Sequence, residues 1–138
     1  MLQNELHPYL AQENVLRLCA ENGIQVTAYS SLAGAAWVDK DMSTKEELLW
    51  NQQCVKDIAA RHQKSEAQVL YRWAVQRGTQ IIPKSTKVER ILENINIFDF
   101  NLSNEEMKTI SALNRNRRYN DPGWYGEAGL NCFYPIYD

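Results

Sequence analysis

The chain has 138 residues, a length that allows one ordinary domain and excludes two independent hydrophobic cores. Apolar residues make up 44% and charged residues 23%, which excludes a disordered or fibrous chain. A net charge of −2 provides no basic field that could drive nucleic-acid binding. These values predict a soluble globular domain whose partner is not DNA or RNA.

The cysteines and the first residues favour a reducing, cytoplasmic location. Cys19, Cys54 and Cys132 are an odd number, lie far apart and form no Cys-x-x-Cys pair, so neither a disulfide framework nor a zinc knuckle is predicted. With two histidines and no clustered carboxylates, no metal site is expected either. The sequence shows no secretion signal and no apolar window of transmembrane length.

The first elements in chain order are predicted as a strand, a helix and a second strand. Residues 2–6 are the first strand, and residues 12–21 carry a helical apolar stripe that ends at Asn22-Gly23. Residues 24–29 alternate apolar and polar side chains, which is typical of a strand with two different faces. Residues 30–45 show no sustained period and are interpreted as a long loop.

The later elements are predicted mainly from their caps. Residues 46–62 indicate one or two helical pieces, Gly78 ends the following helix, and residues 80–82 form a short strand stopped by Pro83. The tail from residue 115 is irregular. Three Ser/Thr-x-x-Glu/Gln capping boxes are predicted to open helices, at Ser65–Gln68, Thr86–Glu89 and Ser103–Glu106.

This order of elements predicts an α/β fold with a parallel sheet. Strands that alternate with helices are typical of right-handed βαβ units. A sheet of three parallel strands would leave unpaired edges and uncovered apolar faces, which proteins generally avoid. A complete (β/α)₈ barrel needs ~250 residues, so this chain could supply its last three strand–helix units.

A cluster of cations marks the turn after the third strand. Lys84, Lys87 and Arg90 surround the N-terminus of the next helix, where free N–H groups and the positive end of the helix dipole attract anions. This turn is therefore a candidate phosphate site, although the same residues also fit an ordinary helix start with solvated charges. Glu93 and Asn94 follow one turn later, either as partners for a base or as surface residues.

Polar and aromatic residues at the ends of the first two strands are further candidates. Tyr29 ends the second strand, where it either packs or, in a barrel, stacks on a flat cofactor ring. Gln3 either offers an amide to a polar ring substituent or is an ordinary polar residue. His7 precedes a proline in a turn and is interpreted as structural, and His62 suits a helix C-terminus. No Gly-x-Ser-x-Gly elbow supports a Ser-His-Asp triad.

Five short phrases carry a further signal: LQNELHPYL at 2–10, AYSSL at 28–32, IPKS at 82–85, RILEN at 90–94 and FDFNLS at 98–103. Together, in their order and approximate spacing, they resemble the aldo-keto reductase family, in its aldose, aldehyde and xylose reductase-like branch. The resemblance implies a (β/α)₈ TIM barrel. Residues 1–138 would be its C-terminal portion from the sixth strand, with about three strand–helix units, a C-terminal helix and a loop, and with the N-terminal strands missing.

The family reduces aldehydes and ketones with NADPH, so the resemblance implies NADPH as cofactor and a small carbonyl compound as substrate. The implied cofactor residues are Gln3 and Tyr29 at the nicotinamide, Ser30 and Leu32 along the pyrophosphate, Lys84, Ser85 and Arg90 at the adenosine 2′-phosphate, and Glu93 and Asn94 at the adenine. Arg90 suits a phosphate because its planar fork binds two oxygens, whereas Lys84 contributes a compact charge.

The resemblance also places substrate contacts in the C-terminal loop and leaves the catalytic residues out. The implied substrate contacts are Trp124, Tyr125, Phe133 and Tyr134, with Trp37 a weaker candidate. Ala33-Gly34 departs from the family's more usual Gly-Ser after Leu32. The catalytic Tyr, Lys, Asp and His of the family lie on earlier strands, so no catalytic residue is assigned, and the isolated chain is expected to be inactive.

Two hypotheses follow for the function. In the first, the chain is the C-terminal half of an NADPH-dependent aldo-keto reductase, a fragment or a truncation of a full-length protein that is itself a monomer. In the second, it is a non-enzymatic half-barrel that binds nucleotide or a partner protein through exposed sheet edges and associates with other chains.

Overall fold

The computed structural model describes residues 1–39, 43–123, 127, 129 and 131–132, which form an α/β fold around a small sheet. The strands are β1 (Leu2–Glu5), β2 (Val26–Tyr29) and β3 (Thr79–Ile81). The α-helices are α1 (Glu13–Glu21), α2 (Gln53–His62), α3 (Glu66–Gln76), α4 (Val88–Ile95) and α5 (Asn104–Ser111). Short 3₁₀ helices cover Ala35–Trp37 and Leu49–Asn51.

The sheet is parallel throughout, with strand order β1-β2-β3. Gln3 lies beside Thr27 and Thr27 beside Gln80, while Glu5 lies beside Tyr29. Because side chains alternate along a strand, these residues share one face of the sheet. The prediction of an α/β chain with parallel strands is confirmed.

Strand ends differ from the prediction by one or two residues. β2 begins at Val26 and not at residue 24, because the backbone N–H of Ile24 still donates to Cys19 O of α1 at 2.8 Å. Gly23, at φ 65°, turns the chain there in the left-handed region that glycine tolerates. β3 covers Thr79–Ile81 in place of residues 80–82, since pairing with β2 begins at Thr79.

Two of the three predicted capping boxes are confirmed, and the third is wrong. The hydroxyls of Ser65 and Ser103 each accept a hydrogen bond from the backbone N–H three residues on. In turn, side-chain oxygens of Gln68 and Glu106 accept the backbone N–H groups of these two serines. The residue before α4 is Lys87, with no side-chain cap. Thr86 is not the cap, because α4 begins one residue later than a box opened by Thr86 requires. The Lys87 N–H donates to Ser85 Oγ at 3.1 Å.

The hydrophobic core lies between the sheet and the inner faces of α2, α3 and α5. Burial in α2 follows the helical period, with Val55, Ile58 and Ala59 inside. Trp73 of α3 and Ile110 of α5 are fully buried in the same cluster. In contrast, α4 buries no residue, although it is strongly amphipathic, so its apolar face is open to solvent.

A carboxylate on α5 joins this helix to the C-terminal end of α2. Glu106 Oε1 accepts hydrogen bonds from Arg61 Nε at 3.3 Å and Nη2 at 3.1 Å, and Oε2 lies 3.0 Å from His62 Nε2. Burial alone would raise the pKa of Glu106, but the hydrogen bonds from His62, the Ser103 backbone and Arg61 outweigh it and lower the pKa to about 2. The ionised carboxylate therefore stabilises the α2–α5 packing.

Replacing Glu106 by glutamine is expected to lower the free energy of unfolding at neutral pH by about 1–2 kcal/mol, allowing for solvent screening. Because the folded pKa of about 2 lies below the ordinary 4.5, this contribution is present above pH 4.5 and is lost as the pH falls towards 2. Urea unfolding of both proteins across this range measures it. The exposed neighbour variant Glu105→Gln is the control, and a difference between wild type and Glu106→Gln that persists undiminished at low pH would contradict the account.

Candidate functional site

A groove of about 360 Å³ separates the N-terminus of α3 from the turn between β3 and α4. We call it the α3–α4 groove. Six residues of the predicted binding set line it, namely Leu32, Lys84, Ser85, Arg90, Glu93 and Asn94. Residues from the loop after β2, from the β3–α4 turn and from α4 itself thus meet at one place. Five of the six lie close together in the sequence, between residues 84 and 94. Leu32 reaches the groove because β2, which precedes it, pairs with β3 in the sheet.

The end of β3 places two cations, Lys84 and Arg90, at the edge of this groove. Pro83 cannot donate to a sheet, so the chain leaves the sheet after Ile81 and turns with Lys84 exposed. Arg90 follows in the first turn of α4, where it is also exposed. Within the described ranges neither Lys84 nor Arg90 takes part in an ion pair, so both are available to an anionic ligand.

A buried glutamine fixes α4 against α3. Gln68 Nε2 donates to the backbone carbonyl oxygens of Glu93 at 3.1 Å and of Asn96 at 2.8 Å. These are carbonyls of the last turn of α4, where a helix lacks internal donors. Sequence reasoning found Gln68 as a capping residue but missed this second role, which connects segments 25 and 28 residues apart.

A second groove, of about 270 Å³, lies beside the first. Three residues line both grooves, namely Leu32, Tyr71 and Lys84. The second groove is also lined by Ser30 and Trp37. The predicted pyrophosphate residues and the predicted 2′-phosphate residues therefore border adjacent grooves.

The turn that enters the second groove is tight. Ala33 N donates to Ser30 O at 2.7 Å, and both residues have positive φ, 53° at Ser30 and 44° at Ala33. Ala33 is also buried. Positive φ is a backbone region that favours glycine. Ala33, which stands where the family more usually has glycine, therefore places a methyl group at a strained position.

Gln3 and Tyr29 do not line either groove. The register puts them on the same face of neighbouring strands, with Gln3 exposed and Tyr29 half-buried. The hydroxyl of Tyr29 accepts a hydrogen bond from Asn120 Nδ2 at 3.1 Å. The pair predicted for the nicotinamide end therefore shares one face of the sheet and lies outside the lining of both grooves.

A buried carboxylate lies next to this pair. Glu5 is fully buried, and its oxygens lie 3.1 Å from His7 Nε2 and accept the backbone N–H groups of Tyr119 and Asn120 at 3.0 Å each. Burial pushes the pKa of Glu5 upward, but the hydrogen bonds from His7 and from the two backbone groups outweigh burial and lower it. His7 thus belongs to a buried network, as its structural interpretation expects.

Several residues of the grooves were missed by sequence reasoning. They are Trp50, Ser65, Glu66, Ala67 and Tyr71. Tyr71 was recognised only as part of the apolar stripe of α3, and its buried phenol has a pKa raised first by burial and then by the charge of Glu93. Trp50 precedes α2 and carries no local signal, because only tertiary packing brings it to the groove.

Of the residues predicted to contact substrate, the structure describes Trp37 alone. Trp124, Tyr125, Phe133 and Tyr134 lie outside the described residues. Trp37 is described, stacks on Tyr119 with ring centroids 5.6 Å apart, and lines the second groove.

Two features are absent from the part of the chain that the structure describes. It contains no group of three His, Cys, Asp or Glu side chains placed to hold a metal ion. None of its helices is long and apolar enough to cross a membrane.

Comparison with known proteins gives a family match. A model described as the Aldo/keto reductase family matches residues 1–115. The chain is 43% identical over 127 residues to a probable NAD(P)H-dependent D-xylose reductase of Emericella nidulans, covering 91% of this chain and 40% of the relative. It is 44% identical over 134 residues to a 4-dihydromethyl-trisporate dehydrogenase of Mucor mucedo, covering 96% of this chain and 41% of the relative.

A human protein is also similar to most of this chain. Aldo-keto reductase family 1 member A1 of Homo sapiens is 47% identical over 121 residues, covering 86% of this chain and 36% of the relative. The chain therefore spans about two fifths of the length of the curated relatives it matches.

Proposed function

Because the chain belongs to the aldo/keto reductase family, we propose that it supplies the NADPH-binding elements of a reductase that converts aldehydes or ketones to alcohols. In this proposal its three strands are the last three of a (β/α)₈ barrel. The observation that carries the proposal is the α3–α4 groove, where Lys84, Ser85 and Arg90 line a space next to the start of α4. The proposed location is the cytoplasm.

The 2′-phosphate of NADPH is the part of the ligand that this groove fits best. Lys84 and Arg90 are exposed cations, and the first turn of α4 adds backbone N–H groups and the positive end of its dipole. Arg90 can bind two phosphate oxygens with its planar guanidinium. Selection of NADPH over NADH follows, because NADH lacks this phosphate.

The rest of the dinucleotide is proposed to lie along the two adjacent grooves and the strand ends. Glu93 and Asn94 border the α3–α4 groove on the side where α3 and α4 meet, and would contact adenine. Ser30 and Leu32 border the second groove and would lie along the pyrophosphate. Gln3 would hydrogen-bond the nicotinamide carboxamide, and Tyr29 would stack on the ring.

The chemical step requires acid–base residues in addition to those that line the grooves. NADPH, when bound, supplies the hydride that reduces a carbonyl carbon. The residues of this chain bind and orient the cofactor, whereas the acid–base residues that the family resemblance implies are not among its 138 residues. We therefore expect the isolated chain to bind NADPH without reducing aldehydes, and we propose that Trp124, Tyr125, Phe133 and Tyr134 contact substrate in a complete barrel.

A titration of the full chain with NADPH and NADH, followed by tryptophan fluorescence, tests the proposal. Trp50 lines the α3–α4 groove and Trp37 lines the second groove. Bound nucleotide should therefore quench the emission of both tryptophans. We expect NADPH to bind about 100-fold more tightly than NADH, because hydrogen bonds to a charged phosphate contribute about 1.5–3 kcal/mol. Equal affinities for the two nucleotides would contradict the proposal.

A second candidate function is association with another polypeptide through the open surface of α4 and the sheet edges. Among the described residues Ile91, Leu92 and Ile95 are 50%, 63% and 69% exposed, which is unusual for large apolar side chains on one helix. Strands β1 and β3 each have one unpaired edge in this sheet. Both features favour contact with another chain.

Sedimentation of the chain at increasing concentration tests this second candidate. We expect self-association that the variant Leu92→Glu weakens about tenfold or more, because it places a charge in an apolar contact. Lys108→Glu, at an exposed position of α5, is the control. A chain that stays monomeric throughout, or that associates equally after Leu92→Glu, would exclude association through this face.

A further inference from the structure

Glu5 is a charged residue that the proposed binding role does not use. It ends β1, is fully buried, and lies beside Tyr29 in the sheet register. A buried carboxylate is costly unless its oxygens are hydrogen-bonded. Here both oxygens are occupied, one by His7 and the Tyr119 N–H and the other by the Asn120 N–H.

The partners of Glu5 come from a segment more than a hundred residues later. The Tyr119 and Asn120 amides lie 114 and 115 positions beyond Glu5 in the chain. Two backbone N–H groups held by the two oxygens of one carboxylate fix both the position and the direction of the 119–120 turn. The ring of Tyr119 packs in the same place, against His7 with centroids 5.5 Å apart.

The fixed turn delivers one side chain to Tyr29. With its backbone held by Glu5, Asn120 directs Nδ2 to the Tyr29 hydroxyl at 3.1 Å. Tyr29 is the last residue of β2 and is half-buried. The hydrogen bond from Asn120 therefore restrains the end of the ring that is farthest from the backbone.

We propose that Glu5 and Asn120 are positioning residues for the nicotinamide end of the site: Glu5 holds the 119–120 turn so that Asn120 fixes the ring of Tyr29. The inference rests on the proposed function in one respect, which is that the ligand stacked on Tyr29 is the nicotinamide ring. It adds that the 119–120 turn, held by the buried carboxylate of Glu5, sets the orientation of Tyr29.

Two ligands separate this role from a general effect on folding. NADP⁺ carries the nicotinamide, whereas 2′,5′-ADP carries the adenosine and its 2′-phosphate without it. In the variant Asn120→Ala we expect the affinity for NADP⁺ to fall about tenfold and that for 2′,5′-ADP to stay within about twofold. Asn14→Ala, at an exposed asparagine of α1, is the matched control and should change neither affinity.

Two further variants test the path through Tyr29 and Glu5. If Asn120 acts on the Tyr29 hydroxyl, Tyr29→Phe and Asn120→Ala should each weaken NADP⁺ binding, and the double variant should be no weaker than the stronger single one. Glu5→Gln retains an acceptor oxygen but cannot accept at both positions, so it should repeat the selective loss of NADP⁺ affinity. Asn120→Ala leaves the Glu5 contacts to the backbone intact, and the test therefore does not depend on Glu5→Gln folding.

The outcomes distinguish this inference from the function on which it rests. Equal losses for NADP⁺ and 2′,5′-ADP, additive effects of the Tyr29 and Asn120 variants, or no loss at all would overturn the positioning role alone. Failure of the unmodified chain to bind 2′,5′-ADP would overturn the proposed function, and the positioning role with it.

Discussion

Trp73→Ala is expected to lower the free energy of unfolding by about 3–5 kcal/mol, a large part of the stability of a single domain. Trp73 is fully buried on α3, and its ring is covered by the Arg77 guanidinium, whose central carbon is 4.4 Å from the ring centroid. Its indole Nε1 donates to Ser111 Oγ at 3.0 Å. The substitution therefore removes a large apolar group, leaves a cavity and deprives a hydroxyl of its donor.

Urea unfolding followed by circular dichroism measures this effect. Trp73→Phe keeps an apolar ring and loses the hydrogen bond, so it should cost about half as much or less. Phe98→Ala is the exposed control, because 66% of Phe98 is open to solvent, and it should change stability by less than about 0.5 kcal/mol. Similar losses in Trp73→Ala and Phe98→Ala would show that the described core does not hold the fold together.

The double variant Lys84→Ala/Arg90→Ala should lose most of its affinity for NADPH, by about 100-fold, while its affinity for NADH changes little. Both cations line the α3–α4 groove, and removing them leaves only the backbone N–H groups and Ser85 for the 2′-phosphate. The wild-type affinity should fall steeply with added salt, because salt screens exposed charges, and the variant should have lost this dependence.

A matched change of charge elsewhere provides the control for this variant. Lys45→Ala/Lys108→Ala also removes two exposed positive charges, neither of which lines the described grooves. It should bind NADPH as the wild type does, apart from a small general effect of net charge. If both double variants lose affinity equally, the cations of the groove have no specific role.

The helices and the parallel sheet could be predicted because their signals are local. Ser65 and Ser103 carry capping boxes that form as predicted. β2 forms within the predicted alternating stretch, although Val26, Thr27 and Ala28 are all buried. The prediction failed at Thr86, because α4 begins at Val88, one residue later than a box opened by Thr86 requires, and its N-cap Lys87 makes no side-chain cap. A Ser/Thr-x-x-Glu/Gln pattern does not by itself fix the residue at which a helix begins.

The site was predictable to the extent that its residues are neighbours in sequence. Lys84, Ser85 and Arg90 meet at one groove because the end of β3 and the start of α4 are joined by a short turn. Trp50 was not predicted, since it reaches the groove through packing between α2 and α3. Glu5 was not predicted either, because its hydrogen bonds to residues 119 and 120 span more than a hundred positions and have no periodic signature.

The proposed function depends above all on binding of the NADPH 2′-phosphate by the turn between β3 and α4. A crystal structure of the full chain with 2′,5′-ADP tests it most directly, because it shows where the phosphate lies. We expect the 2′-phosphate within hydrogen-bonding distance, about 2.7–3.2 Å, of Lys84, Ser85 and Arg90, and the adenine beside Glu93 and Asn94. A nucleotide bound elsewhere on the chain, or no bound nucleotide at saturating concentration, would contradict it.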